Sequence, residues 1–309
     1  MSKLKCAVVG VGYLGKFHAQ KYARIEACEL VAVVDSRLEQ ARAVADPLGC
    51  QALDDYRALI GQVDVVSVVV PTQAHHAVCV DFLKAGVHVL VEKPITTMVD
   101  QADELIALAD AARVHLAVGH LERFNPAAMA LAPLLNAPKF IESVRLAPYK
   151  PRATDVSVLL DLMIHDVDLI LSLVDSEPVH VDCTGARVLT RDIDIANARI
   201  RFANGCVANI TASRVSAKSE RKMRVFQDRA CLSLDLQNRS LTCYQGATGD
   251  EPGIQSDTQS FGEADPLMAE IQDFVASVQQ GREPKVSGRA GRRALEVVQR
   301  ITQATELIS

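Results

Sequence analysis

The sequence of 309 residues lacks three features, and each absence excludes a class of protein. No run approaches the ~18 apolar residues that a transmembrane helix requires. The first residues, Met1 to Lys5, lead directly into a short apolar strand, without the longer apolar stretch and cleavage site of a signal peptide. No domain-sized basic stripe is present, and the formal net charge is −5, which argues against a nucleic-acid surface. We therefore expect a soluble, cytoplasmic protein.

The eight cysteines form no CxxC pair, and most of them lie among apolar neighbours. Free thiols in a reducing cytoplasm account for this distribution, and a zinc site built from them is not expected. We predict no metal site anywhere in the chain. Hydrophobic residues make up 49% and charged residues 23% of the sequence, which is typical of a folded globular protein.

The first part of the chain alternates short apolar runs with helical stretches. The run at residues 63–70 is nearly all valine, which suits a parallel strand covered on both faces. This βαβ alternation predicts an α/β fold with an N-terminal Rossmann domain, an open, doubly wound parallel sheet. Strands are predicted at residues 4–9, 30–34, 63–70, 87–91 and 114–118, and helices at 14–24, 38–48, 74–85 and 99–112.

The pattern changes after Asn125 and Pro126, so we place the Rossmann domain at residues 1–122 and a second domain at 123–309. Strand-like segments separated by turn residues at 179–244 predict a large, mainly antiparallel open sheet in an α+β domain. A sheet with one uncovered face suggests a homodimer or homotetramer formed through it. Further predictions are a strand at 139–146, a long loop at 245–265, and helices at 127–135, 156–174, 266–280 and 289–308, the last able to pack back on the Rossmann domain.

A glycine-rich turn between the first strand and the first helix predicts a dinucleotide site. Gly10 permits a tight turn, Gly12 lets the backbone approach a pyrophosphate, and Gly15 lets the helix pack closely on the strand. Asp35 ends the next strand, where a carboxylate accepts hydrogen bonds from ribose hydroxyls and repels a 2′-phosphate, so NAD is favoured over NADP. Arg37 provides the alternative, because it could pair with such a phosphate. Tyr13 and Leu14 complete the predicted turn.

Three further segments follow predicted parallel strands, at the sheet edge where open α/β sheets bind ligands. Lys93 is predicted beside the nicotinamide, and Pro94 is expected to impose a special backbone geometry on its turn. The other residues predicted at this edge are, for the cofactor, Pro71, Thr72, His75 and Glu92 and, for the substrate, His120, Arg123 and Asn125.

A second cluster lies on the predicted long helix. At 100° per residue, His165 is about 40° from Asp161, and Asp168 is about 20° to the other side, so the three share a face. Flanking carboxylates fix the tautomer of a histidine and raise its basicity, as a general base requires. A metal site is the competing interpretation, but hydride transfer with Lys93 available needs no metal.

These residues together resemble the Gfo/Idh/MocA family over essentially the whole chain. The resemblance rests on the glycine turn, on Glu92-Lys93-Pro94, on Asp161 and His165, and on the segment at residues 281–284 before the last helix. It implies that Lys93, Asp161 and His165 form a catalytic centre beside the nicotinamide of NAD. One departure is that many members carry a glycine-rich stretch before the catalytic helix, whereas residues 154–159 contain no glycine.

Residues 119–126 and 161–168 look like those of a subgroup that oxidises the 3-hydroxyl of UDP-N-acetylglucosamine to a ketone on the route to lipid A amino sugars. This resemblance implies a nucleotide-sugar substrate bound by Lys93 and His165, with Arg123, Lys150, Arg152 and Arg214 available to meet its diphosphate, although such cations are often solvent-facing. The alternatives are a dehydrogenase of a free sugar, inositol or another nucleotide sugar, a biliverdin-reductase-like enzyme, and a non-catalytic NAD-binding regulator of the same fold.

Overall fold

The computed structural model describes residues 3–149, 157–246 and 254–308. The helices are α1 Gly15–Tyr22, α2 Leu38–Leu48, α3 Thr72–Lys84, α4 Val99–Ala112, α5 Pro126–Leu131, α6 Ile164–Leu173, α7 Pro266–Gln280 and α8 Gly288–Gln303. The strands are β1 Leu4–Val9, β2 Cys28–Val34, β3 Gln51–Leu53, β4 Val65–Val68, β5 His88–Glu92, β6 Leu116–Gly119, β7 Phe140–Leu146, β8 Pro178–Ala186, β9 Ile195–Phe202, β10 Val207–Ser213, β11 Glu220–Gln227, β12 Ala230–Asp235, β13 Ser240–Gly246, β14 Ile254–Ser260 and β15 Thr305–Ile308.

The chain divides into two compact units. The first comprises residues 1–121 and 265–295, and the second comprises 122–264 and 296–309. Helix α8 contributes its first half to the first unit and its second half to the second unit.

The first unit is built on a six-stranded parallel sheet in the order β3-β2-β1-β4-β5-β6. This is the doubly wound order of dinucleotide-binding domains, and it confirms the predicted Rossmann fold. The valine-rich strand β4 lies at its centre and is completely buried, as its composition predicts. Because all six strands run the same way, their carboxyl ends meet at one edge of the sheet.

Two helices from the C-terminal part of the chain complete the first unit. Helix α7 packs on α1 and buries Ile271, Phe274 and Val275 in the core cluster of the sheet. Helix α8 begins at Gly288, where a Cβ atom would lie 2.8 Å from a methyl group of Leu116. The missing side chain therefore allows the start of α8 to approach the edge strand β6.

The second unit contains a nine-stranded sheet in the order β14-β13-β12-β11-β7-β10-β9-β8-β15. Most neighbouring strands are antiparallel, as predicted, but β7 pairs with β10 and β8 with β15 in parallel. The residues of β7 alternate between buried and half-buried, so one sheet face carries the core and α6, whereas the residues of the other, more open face are only half-buried. The open face is polar, with Glu142 paired to Arg224 and Arg199 bonded to Asn209.

Several element limits shift from the sequence prediction by one or two residues, the short strand β3 was not predicted, and four further segments differ more. The predicted loop at 245–265 contains the edge strand β14, whose residues are all exposed and polar except Ile254, so they give no alternating signal. The last helix ends at Gln303, after which β15 joins the sheet. The helix predicted at 127–135 ends at Leu131 and continues as a 3₁₀ turn that contains Pro133. Where a helix was predicted at 156–174, a π-helical turn, Leu159–Met163, precedes α6.

None of the helices within the described ranges is both long and apolar enough to span a bilayer.

Candidate active site

The glycine turn has the geometry that a dinucleotide site needs. Gly10 has φ +87°, and a Cβ there would lie 2.6 Å from the carbonyl oxygen of Val69. A Cβ at Gly15 would lie 1.8 Å from the carbonyl oxygen of Gly10, so the helix can start only on a glycine. A Cβ at Gly12, by contrast, would meet no protein atom within 4 Å. The space above Gly12 is therefore open, and the neighbouring Tyr13 and Leu14 are exposed.

Asp35 stands directly after β2, at the same edge of the sheet. One carboxylate oxygen accepts a hydrogen bond from the amide of Val11 at 3.2 Å, and the other accepts one from the amide of Arg37 at 3.1 Å. These bonds fix the carboxylate against the glycine turn while its side chain stays partly exposed. The guanidinium of Arg37 is mostly exposed, with its Nε 3.8 Å from Asp35. A carboxylate held in this way suits the ribose hydroxyls of NAD.

The loop that follows β4 is tied to the Lys93 turn through a buried histidine. Pro71 precedes α3 and Thr72 begins it. The two ring nitrogens of His75 each lie 2.9 Å from a carbonyl oxygen, that of Val70 and that of Pro94. Burial lowers the pKa of His75, although the two carbonyl contacts oppose this effect. His75 thus bridges the loop after β4 and the turn that contains Pro94, and these contacts hold the two segments together.

Lys93 follows β5, and the Lys93–Pro94 peptide bond is cis. The side chain of Lys93 is half-buried, whereas that of Glu92 is turned into the interior. Glu92 was predicted to contact the cofactor, but its carboxylate binds His18 at 3.1 Å and the amide of Lys93 at 3.2 Å. His120 follows β6 at the same edge and is buried.

In the second unit, Asp161 lies in the π-helical turn and His165 in the first turn of α6, and both are partly exposed. The predicted helical angles assumed an unbroken α-helix, so they do not describe this segment. A π-helical turn within a helix is frequent at functional sites, because it places side chains where an α-helix cannot. The junction therefore presents an acid and a histidine on one short stretch of backbone.

Asp168, predicted to flank His165, is bound by an arginine. The Nε and one terminal nitrogen of Arg123 donate to its two oxygens, each at 2.7 Å. Asp168 is 1% exposed and Arg123 14% exposed. These two hydrogen bonds occupy one edge of the Arg123 guanidinium, the group that was predicted to meet a diphosphate.

A second buried arginine supports the same helix. The Nε of Arg145 donates to Asp166 at 2.6 Å, and its Nη1 donates to Glu122 at 3.1 Å. Burial opposes the charge of Arg145, but the two carboxylates outweigh it and raise its pKa. Asp166 also accepts a hydrogen bond from Ser143 at 2.9 Å. Because Glu122 precedes Arg123 and Asp166 follows His165, this network fixes both functional segments to β7.

The remaining predicted substrate residues fall into two groups. Asn125 is buried: its side-chain oxygen caps α5, and its amide nitrogen donates to the carbonyl of Leu236 at 2.8 Å, so both atoms serve the fold. Arg214 is 6% exposed, and its Nε is 3.9 Å from the buried Asp194. Lys150 and Arg152 lie outside the described residues.

Sequence reasoning missed His18 and Arg145. His18 lies one helical turn after Gly15, on the buried face of α1. Its partners are separated from it by 49 and 74 residues, so no local pattern indicates the contacts. Arg145 is a buried charge in the middle of an alternating strand, which is the one local signal for a buried ion pair.

Comparison with known proteins agrees with this geometry. Residues 4–120 match the model of the oxidoreductase family with an NAD-binding Rossmann fold, and residues 143–233 match the GFO/IDH/MocA C-terminal domain. The UDP-N-acetylglucosamine 3-dehydrogenase of Acidithiobacillus ferrooxidans is 41% identical, over 99% of this chain and 98% of that protein. A solved structure of that enzyme superimposes with a TM-score of 0.94, at 99% and 98% coverage. Inositol 2-dehydrogenase of Rhizobium meliloti is 26% identical, over 94% of each chain.

The Rossmann sheet, the glycine turn and the fixed Asp35 define an NAD-dependent oxidoreductase. The chain belongs to the Gfo/Idh/MocA family.

Proposed function

We propose that this oxidoreductase uses NAD⁺ to oxidise the 3-hydroxyl of UDP-N-acetylglucosamine to a ketone, as a step toward lipid A amino sugars. One observation carries the proposal: the 41% identity to an enzyme of that name extends over nearly the full length of both chains. Similarity of this extent covers the substrate-binding half as well as the common Rossmann half.

The proposed roles follow from the chemistry of the side chains. His165 takes the proton of the sugar hydroxyl as general base, and Asp161 orients its ring. The ammonium group of Lys93 stabilises the alkoxide that develops on the same oxygen. NAD⁺, when bound, accepts the hydride from the sugar carbon. The protein itself contributes positioning and electrostatics, and its two buried arginine networks hold the helix of His165.

Arg214 is the described cation that we propose for the diphosphate of the substrate. Its backbone amide is fixed to the carbonyl of Asp194 at 2.9 Å, and the carboxylate of Asp194 lies beside its Nε. Arg123 contributes mainly to the fold, because its guanidinium makes two hydrogen bonds to Asp168. The roles of Lys150 and Arg152 stay predictions from the sequence.

A dehydrogenase of inositol or a free sugar is the second candidate. Three inositol dehydrogenases are 25–27% identical over more than nine-tenths of this chain. This candidate shares the same residues for hydride transfer, so only the substrate separates it from the first. A non-catalytic regulator is not favoured, because such a protein has no need to keep Lys93 and His165 together with an intact nucleotide turn.

A substrate panel tests the assignment. The full chain is incubated with NAD⁺ and, separately, UDP-N-acetylglucosamine, UDP-glucose, N-acetylglucosamine or myo-inositol, and NADH is followed at 340 nm. We expect turnover with UDP-N-acetylglucosamine and at least tenfold lower kcat/KM for the other compounds. Preference for myo-inositol would support the second candidate, and no turnover with any UDP-amino-sugar would contradict the proposal.

We further propose a cytoplasmic homodimer or homotetramer assembled through the open face of the nine-stranded sheet. All eight cysteines are free, which suits a reducing compartment. An open sheet face bearing ion pairs and aromatic contacts, such as Phe140 with Phe226, suits a partner surface better than bulk water. Light scattering on the purified chain gives the mass of the particle, and a monomer would contradict this assembly.

A further inference from the structure

A buried chain of hydrogen bonds leads from α1 to the turn that carries Lys93. The hydroxyl of Tyr22 is 3.0 Å from the hydroxyl of Ser67, which is 3.2 Å from Nδ1 of His18. Nε2 of His18 is 3.1 Å from Oε1 of Glu92. The backbone amide of Lys93 donates to the other carboxylate oxygen of Glu92 at 3.2 Å.

The four side chains that form this series of hydrogen bonds are almost completely buried. Tyr22 and Ser67 are 0% exposed, His18 is 1% and Glu92 is 7% exposed. A buried polar group must be bonded or lose several kcal/mol, so the order of donors is constrained. These distances fit an order in which Tyr22 donates to Ser67, Ser67 donates to Nδ1 of His18, and Nε2 of His18 donates to Glu92. All donors then point toward the carboxylate, which is the arrangement that stabilises an anion.

The sheet leaves room for this carboxylate beside Lys93. Glu92 is the register partner of Gly119 on the neighbouring strand β6. A Cβ at position 119 would lie 3.0 Å from the carboxyl carbon of Glu92, so a side chain there would crowd the carboxylate. The Glu92 carboxylate thus fills the space that Gly119 leaves at the carboxyl edge of the sheet.

We propose that Glu92 is a positioning residue, the buried counter-ion of Lys93, and that the hydrogen bond from His18 holds its carboxylate in place. This inference rests on the role proposed above for Lys93. The carboxylate fixes the backbone of Lys93 through its amide, and its negative charge interacts with the charge of the Lys93 side chain. Because His18 lies on α1, the same chain couples the dinucleotide helix to the lysine that acts on the substrate.

The electrostatics of Glu92 agree with this arrangement. Burial on its own raises the pKa of a carboxyl group. The hydrogen bonds that Glu92 accepts from His18 and from the amide of Lys93, together with the charge of Lys93, outweigh burial and bring the pKa of Glu92 below its usual value. A group that is both buried and ionised is retained at a cost in stability, which is expected where it serves the chemistry.

Chemical labelling of Lys93 tests the proposal without any substrate. The folded, full-length protein is treated with a limiting amount of sulfosuccinimidyl acetate at pH 7.5, and acetylation of Lys93 is followed by peptide mass spectrometry. Only the neutral amine reacts, so loss of the counter-ion speeds labelling. We expect Glu92→Gln to raise the labelling rate by about two- to tenfold, because the substitution removes a negative charge that interacts with the Lys93 side chain. His18→Asn keeps the carboxylate but removes its donor, and we expect a smaller increase.

Tyr22→Phe is the matched control, because it removes a buried hydroxyl at the far end of the chain. We expect its labelling rate to stay within about twofold of the wild type. A purely structural role would change the melting temperature of all three variants but not the labelling rate of Lys93 in the folded protein. If Glu92→Gln does not fold, His18→Asn supplies the comparison.

Kinetics provides the second measurement. With the active substrate, Glu92→Gln is expected to lower kcat by about tenfold and to change KM by less than about twofold. Unchanged labelling and kcat in folded Glu92→Gln and His18→Asn would overturn the counter-ion proposal. Absence of wild-type turnover with UDP-N-acetylglucosamine would instead contradict the proposed function, and the labelling series would still decide the role of Glu92.

Discussion

Arg123 and Asp168 are joined by two hydrogen bonds of 2.7 Å that fasten the helix of His165 to the segment after Glu122. Asp168 lies on α6 less than one turn after His165. A two-pronged arginine–carboxylate bond fixes both position and orientation of its partners. The Arg123–Asp168 pair thus neutralises one of the two buried carboxylates on α6, the helix that carries the partly exposed His165.

Asp168→Asn is predicted to destabilise the protein strongly. The change leaves the mostly buried guanidinium of Arg123 without its counter-charge, which costs about 3–5 kcal/mol. Urea denaturation followed by circular dichroism measures the loss. Arg289→Gln is the matched control, because the Arg289–Asp110 pair is mostly exposed and is expected to contribute less than about 1 kcal/mol. Equal effects of the two changes would contradict a structural role for the Arg123–Asp168 pair.

Gly12→Ala and Gly15→Ala are predicted to separate cofactor binding from folding. A methyl group at Gly12 meets no protein atom, so the free energy of unfolding should change by less than about 1 kcal/mol, while NADH affinity falls at least tenfold. A methyl group at Gly15 collides with the backbone of Gly10 and should prevent a stable fold. Thermal unfolding and NADH fluorescence titration measure the two properties. Normal NADH binding by Gly12→Ala would show that the pyrophosphate lies elsewhere.

Lys93→Met and His165→Ala are predicted to remove catalysis and leave the fold intact. Each change deletes a group that acts on the reacting hydroxyl, and such groups contribute about 10²- to 10⁴-fold to the rate. The measurement is kcat from NADH formation, with NADH affinity and melting temperature as controls. Full activity in both variants would contradict the mechanism.

Asp194 is predicted to make the stability of the second unit depend on pH in the acid range. Burial opposes its ionisation, but hydrogen bonds from Thr190 and from the amides of Thr190, Leu189 and Val188 lower its pKa to about 2. The ionised form is favoured by folding, so its stabilisation is complete above about pH 4, the unfolded value, and is lost as the pH falls through about 2.

Asp194→Asn is therefore expected to lower the free energy of unfolding by about 2 kcal/mol at pH 7. The difference from the wild type should shrink steadily below about pH 4. Urea denaturation at several pH values measures it. A difference independent of pH would show that the carboxylate charge does not stabilise the turn at residues 188–194.

The predictability of the fold depends on how local each signal is. The limits of β1, α2 and α4 match the prediction because alternation and amphipathic periodicity are properties of a few adjacent residues. Strand β15 was read as helix because four residues at the end of a helical pattern carry little signal, and only pairing with β8 makes them a strand. The parallel pairing of β7 with β10 likewise depends on contacts between distant segments.

The predictability of the candidate site also depends on whether each signal is local in the sequence. The turn at Gly10–Gly15, Asp35 and Lys93 could be placed because their motifs are short and follow predictable strands. The partners of Glu92 and Asp168 could not be predicted, because His18 and Arg123 reach them from elements far away in the sequence. The π-helical turn at Leu159–Met163 also lacks a sequence pattern of its own, so a continuous helix was predicted there.

Transfer of isotope from the sugar to the cofactor reports whether C3 is the carbon that this protein oxidises. UDP-N-acetylglucosamine deuterated at C3 is incubated with the full chain and NAD⁺, with a ketone trap to draw the reaction forward, and the nicotinamide product is analysed by mass spectrometry. We predict that the C3-deuterated sugar gives NADH one mass unit heavier than ordinary NADH, and that a matched sample deuterated at C4 gives ordinary NADH. Ordinary NADH from the C3-deuterated sugar, or no NADH from either sample, would contradict it.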